Sequence, residues 1–217
     1  MEGAERLTNE YLQRAAAVPV DSTLLRVDTN GVTQRLQENP WIATIDVKRE
    51  FPSTLVLVIT EREPVAAVAV QADITSETVE QWLISDNGLW LGVAEGPESN
   101  VLITEEDLNE YKRFTDVDHT VKPVVGEVTE DEGILNALAI LKGFSPQMNS
   151  LVSSIYAPDR NKTTLSLTNN VIVTFGAAED IEAKEKAIIT LLNDHPETLI
   201  SINVRVADRP TYKFYEG

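Results

Sequence analysis

No cysteine occurs among the 217 residues, which excludes disulfides, thiolate-bound zinc and thiol catalysis together. Histidine is almost as scarce, with His119 and His195 the only two imidazoles that could serve as a neutral-pH base or ligand. Basic residues are also in deficit: 18 Lys and Arg stand against 35 Asp and Glu, a formal charge of -17. A phosphate backbone is held by clustered cations, so this deficit argues against nucleic acid as a partner. An anionic membrane surface would repel the chain as a whole. Long apolar runs are missing too, since nothing approaches the ~20 residues that cross a bilayer. Met1, Glu2, Gly3 and Ala4 offer neither the basic start nor the apolar stretch of a signal peptide.

What is present reads as an ordinary globular composition, 42% hydrophobic and 24% charged. The length allows one large or two modest domains, each able to bury a core without staples. Charge is unevenly spread: residues 1–70 carry seven basic and ten acidic side chains, residues 71–217 eleven and twenty-five. The second part supplies most of the acidity.

Periodicity predicts an α+β chain. Thr8 can cap a helix that places Tyr11, Leu12, Ala15 and Val18 on one side. Val32, Leu36 and Trp41 suggest a second helix that stops near Pro40. Ile45 and Val47, then Leu55, Leu57 and Ile59, alternate as two strands about a Phe51, Pro52, Ser53 turn. An exit strand, 65–70, closes this part, and the polar stretch 71–80 is the candidate linker. Asp86, Asn87 and Gly88 predict a hairpin turn between Trp82–Ser85 and Leu89–Leu91. Residues 95–132 hold twelve acids and three bases, and read as a solvated insertion with one short helix opened by Thr104 and Asp107. A packing helix follows from Asp131 to Gly143, then strands at 151–156, 164–168 and 171–175, and a helix at 178–193. The last strand, with Ile200, Ile202, Val204 and Val206 on one face, has the clearest alternation.

Residues 40–66 carry the strongest signature. A helix end at Pro40 and Trp41, a turn running Arg49, Glu50, Phe51, Pro52, Ser53, Thr54, Leu55, and an exit at Glu61, Arg62, Glu63, Pro64, Val65, Ala66 occur in that order. This segment resembles the second half of a POTRA module of the bacterial cell division family FtsQ, also called DivIB. Val121 to Gly126 and Ile202 to Arg205 also resemble stretches of that family's second domain, the latter with Val206 where the family has a bulky aromatic.

The resemblance implies a truncated POTRA module, two helices on a small sheet lacking its first strand, over 1–70. A larger β-rich domain with an antiparallel sheet and flanking helices then occupies 71–217. It also implies a single-pass protein of the cell membrane, its N-terminal anchor outside this chain and this region on the extracytoplasmic side at the division septum. The implied role is a non-catalytic scaffold of the divisome that uses no cofactor. Its partners would be FtsB/DivIC-like and FtsL-like proteins, linked to septal peptidoglycan synthases, with binding by strand addition at the C-terminal sheet edge. On that mapping the partner-binding residues are Lys184, Arg205, Val206, Ala207, Asp208, Arg209, Tyr212 and Phe214. The alternative is a POTRA-type module for polypeptide transport or envelope protein assembly.

Other constellations carry less. Asp116, Asp118 and His119 lack the further oxygen ligands and glycine of a Ca²⁺ loop. Phe175, Gly176, Ala177 and Ala178 join a strand to a helix as phosphate loops do, but without the Gly-Lys-Ser/Thr signature. His195 suits a helix C-terminus. Pro40 and Trp41 with Glu61, Arg62, Glu63 and Pro64 could form a recognition surface at one end of the module, against a core role for Trp41 and a pairing stop for Pro64. An enzyme would need a nucleophile with its base, a metal cluster or a split carboxylate pair, and no such set stands out.

Overall fold

Thr8 accepts a hydrogen bond from the Tyr11 amide and starts α1 (Asn9–Ala16); Asp28 does the same for the Gly31 amide and starts α2 (Thr29–Gln37). Each cap satisfies an amide that the first helical turn leaves unpaired. The computed structural model describes residues 3–19, 22–71, 78–94, 101, 103–196 and 198–215. After α2, Asn39 turns the chain by accepting from the Trp41 amide and donating to the Tyr11 hydroxyl. The strands β1 (Ile42–Glu50) and β2 (Thr54–Glu61) then pair antiparallel as a two-stranded sheet. Leu12, Val32, Leu36, Trp41, Leu57 and Ile59 form the buried centre of this unit. Trp41 is core, as its position at a helix–strand junction predicts.

Glu61 and Arg62 have structural duties. The Glu61 carboxylate accepts from the Arg6 and Leu7 amides, and the Arg62 guanidinium donates to the Pro40 and Ile42 carbonyls. They pin the two ends of the unit together, while Glu63 beside them stays exposed.

A nine-stranded sheet makes up the rest. Its strands are β3 (Ala66–Gln71), β4 (Val79–Ile84), β5 (Trp90–Val93), β6 (Lys112–Thr115), β7 (Val152–Tyr156), β8 (Thr164–Leu167), β9 (Ile172–Thr174), β10 (Leu199–Asn203) and β11 (Thr211–Phe214). Their spatial order is β11-β10-β9-β8-β7-β6-β3-β4-β5. The α+β class stands, but the sheet is mixed where an antiparallel one was expected: β3 with β6, β6 with β7, and β9 with β10 are parallel. Parallel neighbours need a long crossover, and helices supply two of the three. The helices α4 (Glu132–Gly143) and α5 (Pro146–Leu151) carry the chain from β6 to β7, and α6 (Ile181–Asp194) carries it from β9 to β10.

Three sequence expectations are corrected by this topology. The strand at 65–70 does not close the first unit; it enters the large sheet between β4 and β6. The stretch 71–80, partly outside the described residues, is no linker, because the strands on either side of it are antiparallel neighbours. The acidic segment 95–132 is no mere insertion: its short helix α3 (Glu105–Glu110) is capped by Thr104 and Asp107 as expected, but β6 follows at once and runs between β3 and β7, with Phe114 fully buried. Residues 95–100 and 102 lie outside the described residues.

Two apolar cores share the large sheet. On one face, α4 and α6 cover Ala66, Val68, Ile84, Phe114, Ile155 and Val173. On the other, Ala67, Leu83 and Leu91 join the core of the first unit. The β3–β5 end is therefore buried on both sides, which is why β3 reads as an almost unbroken apolar run. At the hairpin, Gly88 alone has a positive φ, 82°, and its amide donates to the Ser85 carbonyl. Asn87 stays on the negative side, so the loop turns on the glycine.

Candidate functional site: the β10–β11 edge

β10 is not an edge. Its Leu199 and Ile202 are buried, whereas Ile200 and Val206, expected on the face of Ile202, are exposed because the register shifts between Leu199 and Ser201 and the strand ends at Asn203; both of its sides are taken, by β9 in parallel and β11 antiparallel. The ladder expected to be open at 200–206 is filled from within the chain. The rim lies one strand further out, on β11.

The register decides which backbone groups face outward. The Tyr215 amide donates to the Thr198 carbonyl, so Tyr215 points its peptide groups at β10. Alternation in an antiparallel pair then turns Lys213 and Thr211 inward and Tyr212 and Phe214 outward. The register shift of this pair falls between Leu199 and Ser201, on the β10 side, and leaves the alternation along β11 intact. Among the described residues, the amides and carbonyls of Tyr212 and Phe214 thus form the free ladder.

Side chains alternate in the perpendicular direction, placing the Tyr212 and Phe214 rings on one face with centroids 5.1 Å apart. His195, at the C-cap of α6, lies against both, 4.9 Å from Phe214 and 5.8 Å from Tyr212. The trio holds β11 against the helix end, yet Tyr212 remains 44% and Phe214 39% exposed. Arg205, Val206, Ala207, Asp208 and Arg209 sit in the connection between β10 and β11, not on a strand. All but Ala207 are exposed there, and the Arg205 side chain lies over Gly176, on the β9 side of β10 rather than at the β11 rim.

Lys184 does not join them. It is buried; its ammonium donates to the Phe175 and Ala177 carbonyls and stands 4.6 Å from the centre of the Phe175 ring. Burial pulls its pKa below the usual lysine value, while Glu179 and Asp180 pull the other way. A side chain spent on two carbonyls beneath the surface cannot meet a partner's carboxylate, which corrects its expected role. Beside it, buried Asn136 donates to Thr163 Oγ1 and the Gly176 carbonyl and accepts from the Ala178 amide. The Gly176 amide is itself taken by the Thr163 carbonyl. That loop is a closed polar network rather than an anion cradle.

The opposite sheet edge is covered. Trp90 exchanges hydrogen bonds with Glu127 and Gly126, and Thr129 donates to Gly88, so the 124–129 segment lies along β5. A groove of about 720 Å³ opens nearby, lined by Trp90, Asp118, Lys122, Asp131 and Asp159 among others. Its carboxylates are already employed: Asp118 accepts from Thr120, Asp131 caps α4, and Asp159 accepts from Lys162 and Asn161. Hydrogen bonds from Thr120 hold Asp118 below the ordinary carboxylate range, and Lys162 does the same for Asp159. Both are kept ionised, the reverse of what a general acid needs.

Residues 1–62 match the family model described as POTRA domain, FtsQ-type. The chain is 28% identical over 204 residues to the cell division protein FtsQ of Streptomyces griseus, covering 90% of this chain and 86% of that protein. It is 28% identical over 211 residues to FtsQ of Mycobacterium leprae and 25% identical over 190 residues to that of Corynebacterium glutamicum, covering 97% and 88% of this chain. Along most of its length the chain is thus similar to cell division proteins of the FtsQ/DivIB family. It spans 53% of the length of the Mycobacterium leprae relative and 75% of the Corynebacterium glutamicum one. The family is one of division-associated membrane proteins, and among the described residues no helix is long and apolar enough to cross a membrane.

Of the expected site residues, the structure puts the Tyr212 and Phe214 rings together on β11 and leaves 205–209 in the connection that precedes it. His195 was missed as their support. Its only trace in the sequence is an imidazole at a helix end, which by itself signals a cap.

Proposed function

We propose that this chain is the extracytoplasmic part of a divisome scaffold with no reaction of its own, recruiting FtsB/DivIC-like and FtsL-like partners by strand addition. In the whole protein an N-terminal single-pass helix would hold it in the cell membrane at the septum, within reach of septal peptidoglycan synthases. The observation that carries this reading is the outward ladder of Tyr212 and Phe214 on β11. Main-chain bonds to that ladder would give affinity, and the alternate side chains selectivity. On the α6 side an incoming strand meets Tyr212, Phe214 and His195, and the exposed Arg209 lies in the connection that leads into β11. The matching partner is an extended segment with apolar residues at every second position and a carboxylate near one end. The division relatives run through both units of the chain, which favours this reading over polypeptide transport.

The test is capture of a DivIC-like C-terminal peptide by fluorescence anisotropy. Tyr212→Pro deletes an outward amide and is expected to weaken capture at least tenfold, about 1.4 kcal/mol, with the circular dichroism spectrum unchanged. Retained affinity would exclude this rim.

A further inference from the structure

The most exposed large apolar side chains among the described residues are Leu25 and Phe51, at 75% and 70%. They share one end of the first unit. Arg49, two residues before Phe51, donates to the carbonyls of Leu24 and Val27 at 3.0 and 2.6 Å, which ties the Leu25 loop beside the turn between β1 and β2. That turn is the far end of the molecule from the large sheet, because β2 leaves it and runs eight residues, roughly 25 Å, before the chain crosses to β3.

The N-terminal segment points the same way. Leu7 and Arg6 are held at Glu61, whereas Gly3 is pressed against Ile59, where a Cβ would collide with the Ile59 carbonyl. Followed backwards, the backbone runs along β2 toward Thr54. The described backbone at Gly3 is thus directed toward the Leu25 and Phe51 end.

Charge is balanced there as well. Arg26, Lys48 and Arg49 offset Asp28, Asp46 and Glu50, and Asp46 is paired with Lys48 at 3.4 Å. The excess of acid lies elsewhere, mostly beyond residue 70, and screening confines its repulsion to about 8–10 Å at ordinary ionic strength. A lipid surface therefore meets two apolar side chains and a patch of no net charge, not the net charge of the chain.

We infer that this tip, Leu25 and Phe51 with the exposed Arg26 and Lys48, seats in the headgroup layer of the membrane that carries the anchor. The inference rests on the membrane-anchored reading proposed above, and sets the long axis of the molecule: tip on the bilayer, β11 rim away from it. Apolar side chains beside basic ones suit the interface, where the first enter the acyl boundary and the second meet phosphates.

The absence of cysteine makes the test direct, since Phe51→Cys, Leu25→Cys and the exposed control Val125→Cys each take a single environment-sensitive nitrobenzoxadiazole label. Each protein is tethered by an N-terminal hexahistidine tag to nickel-chelating lipid in phosphatidylethanolamine and phosphatidylglycerol vesicles. The labels at 51 and 25 are expected to shift to the blue and to be quenched by brominated acyl chains. The label at 125 should stay aqueous, and Phe51→Ser should reduce quenching at 25. Aqueous emission at both tip sites would overturn the inference, as would a blue shift without bromine quenching, which would mark a protein contact such as a second copy. If the full-length protein fractionates with membranes while the tip stays aqueous, the tip inference alone has failed.

Discussion

Lys184 shows how a charged residue can mislead a one-dimensional reading. Its place on α6, among Glu182, Glu185 and Lys186, suggests a solvated face, but the helix follows the Phe175 loop, whose carbonyls need a donor. Lys184→Met leaves those carbonyls without one and is expected to cost about 1–3 kcal/mol of stability in urea titrations, with partner capture retained. The pH dependence has a definite sign. Folding lowers this lysine's pKa, so the unfolded chain binds the proton more tightly, and stability rises with pH between the depressed value and the ordinary 10.5. The gap between wild type and Lys184→Met should widen over that interval. Asn136 was equally illegible: on the apolar-patterned α4 it reads as a tolerated polar residue, and only the fold reveals its three buried hydrogen bonds.

Among the elements, those with strong local signals were legible. Capped helices, the β7–β8–β9 meander and the Gly88 hairpin each carry their own periodicity and turn chemistry. What failed was short and surrounded by contrary composition. β6 spans four residues inside an acidic stretch, too few for alternation to register, and β11 follows a Pro210 that reads as the end of pairing. Phe114→Ala is the corresponding test. A solvated insertion would tolerate it within about 0.5 kcal/mol, whereas a strand interior to the sheet should lose about 3–5 kcal/mol, read from the urea midpoint. β11 also explains why the last alternating run is not the recruiting edge: the chain folds back and caps it, moving the open ladder from residues of β10 to Tyr212 and Phe214.

Across the whole molecule, the two units share a core. Leu83 belongs to β4 of the large sheet, yet packs with Leu12, Leu36 and Trp41 of the first unit. Leu83→Ala is therefore expected to cost about 2–5 kcal/mol and to lower together the midpoints reported by Trp41 and by the large sheet's Trp82 and Trp90. Separate transitions would mean that the units fold independently. The shared core ties the β11 sheet to the first unit and its N-terminal tip.

The central claim is that a foreign strand adds to β11, and residue-resolved amide hydrogen exchange measures it directly. On adding a DivIC-like partner, the Tyr212 and Phe214 amides should become protected while those of Thr211 and Lys213, already paired to β10, change little. Protection that falls elsewhere, with Tyr212 and Phe214 exchanging as fast as in the free protein, would contradict the account.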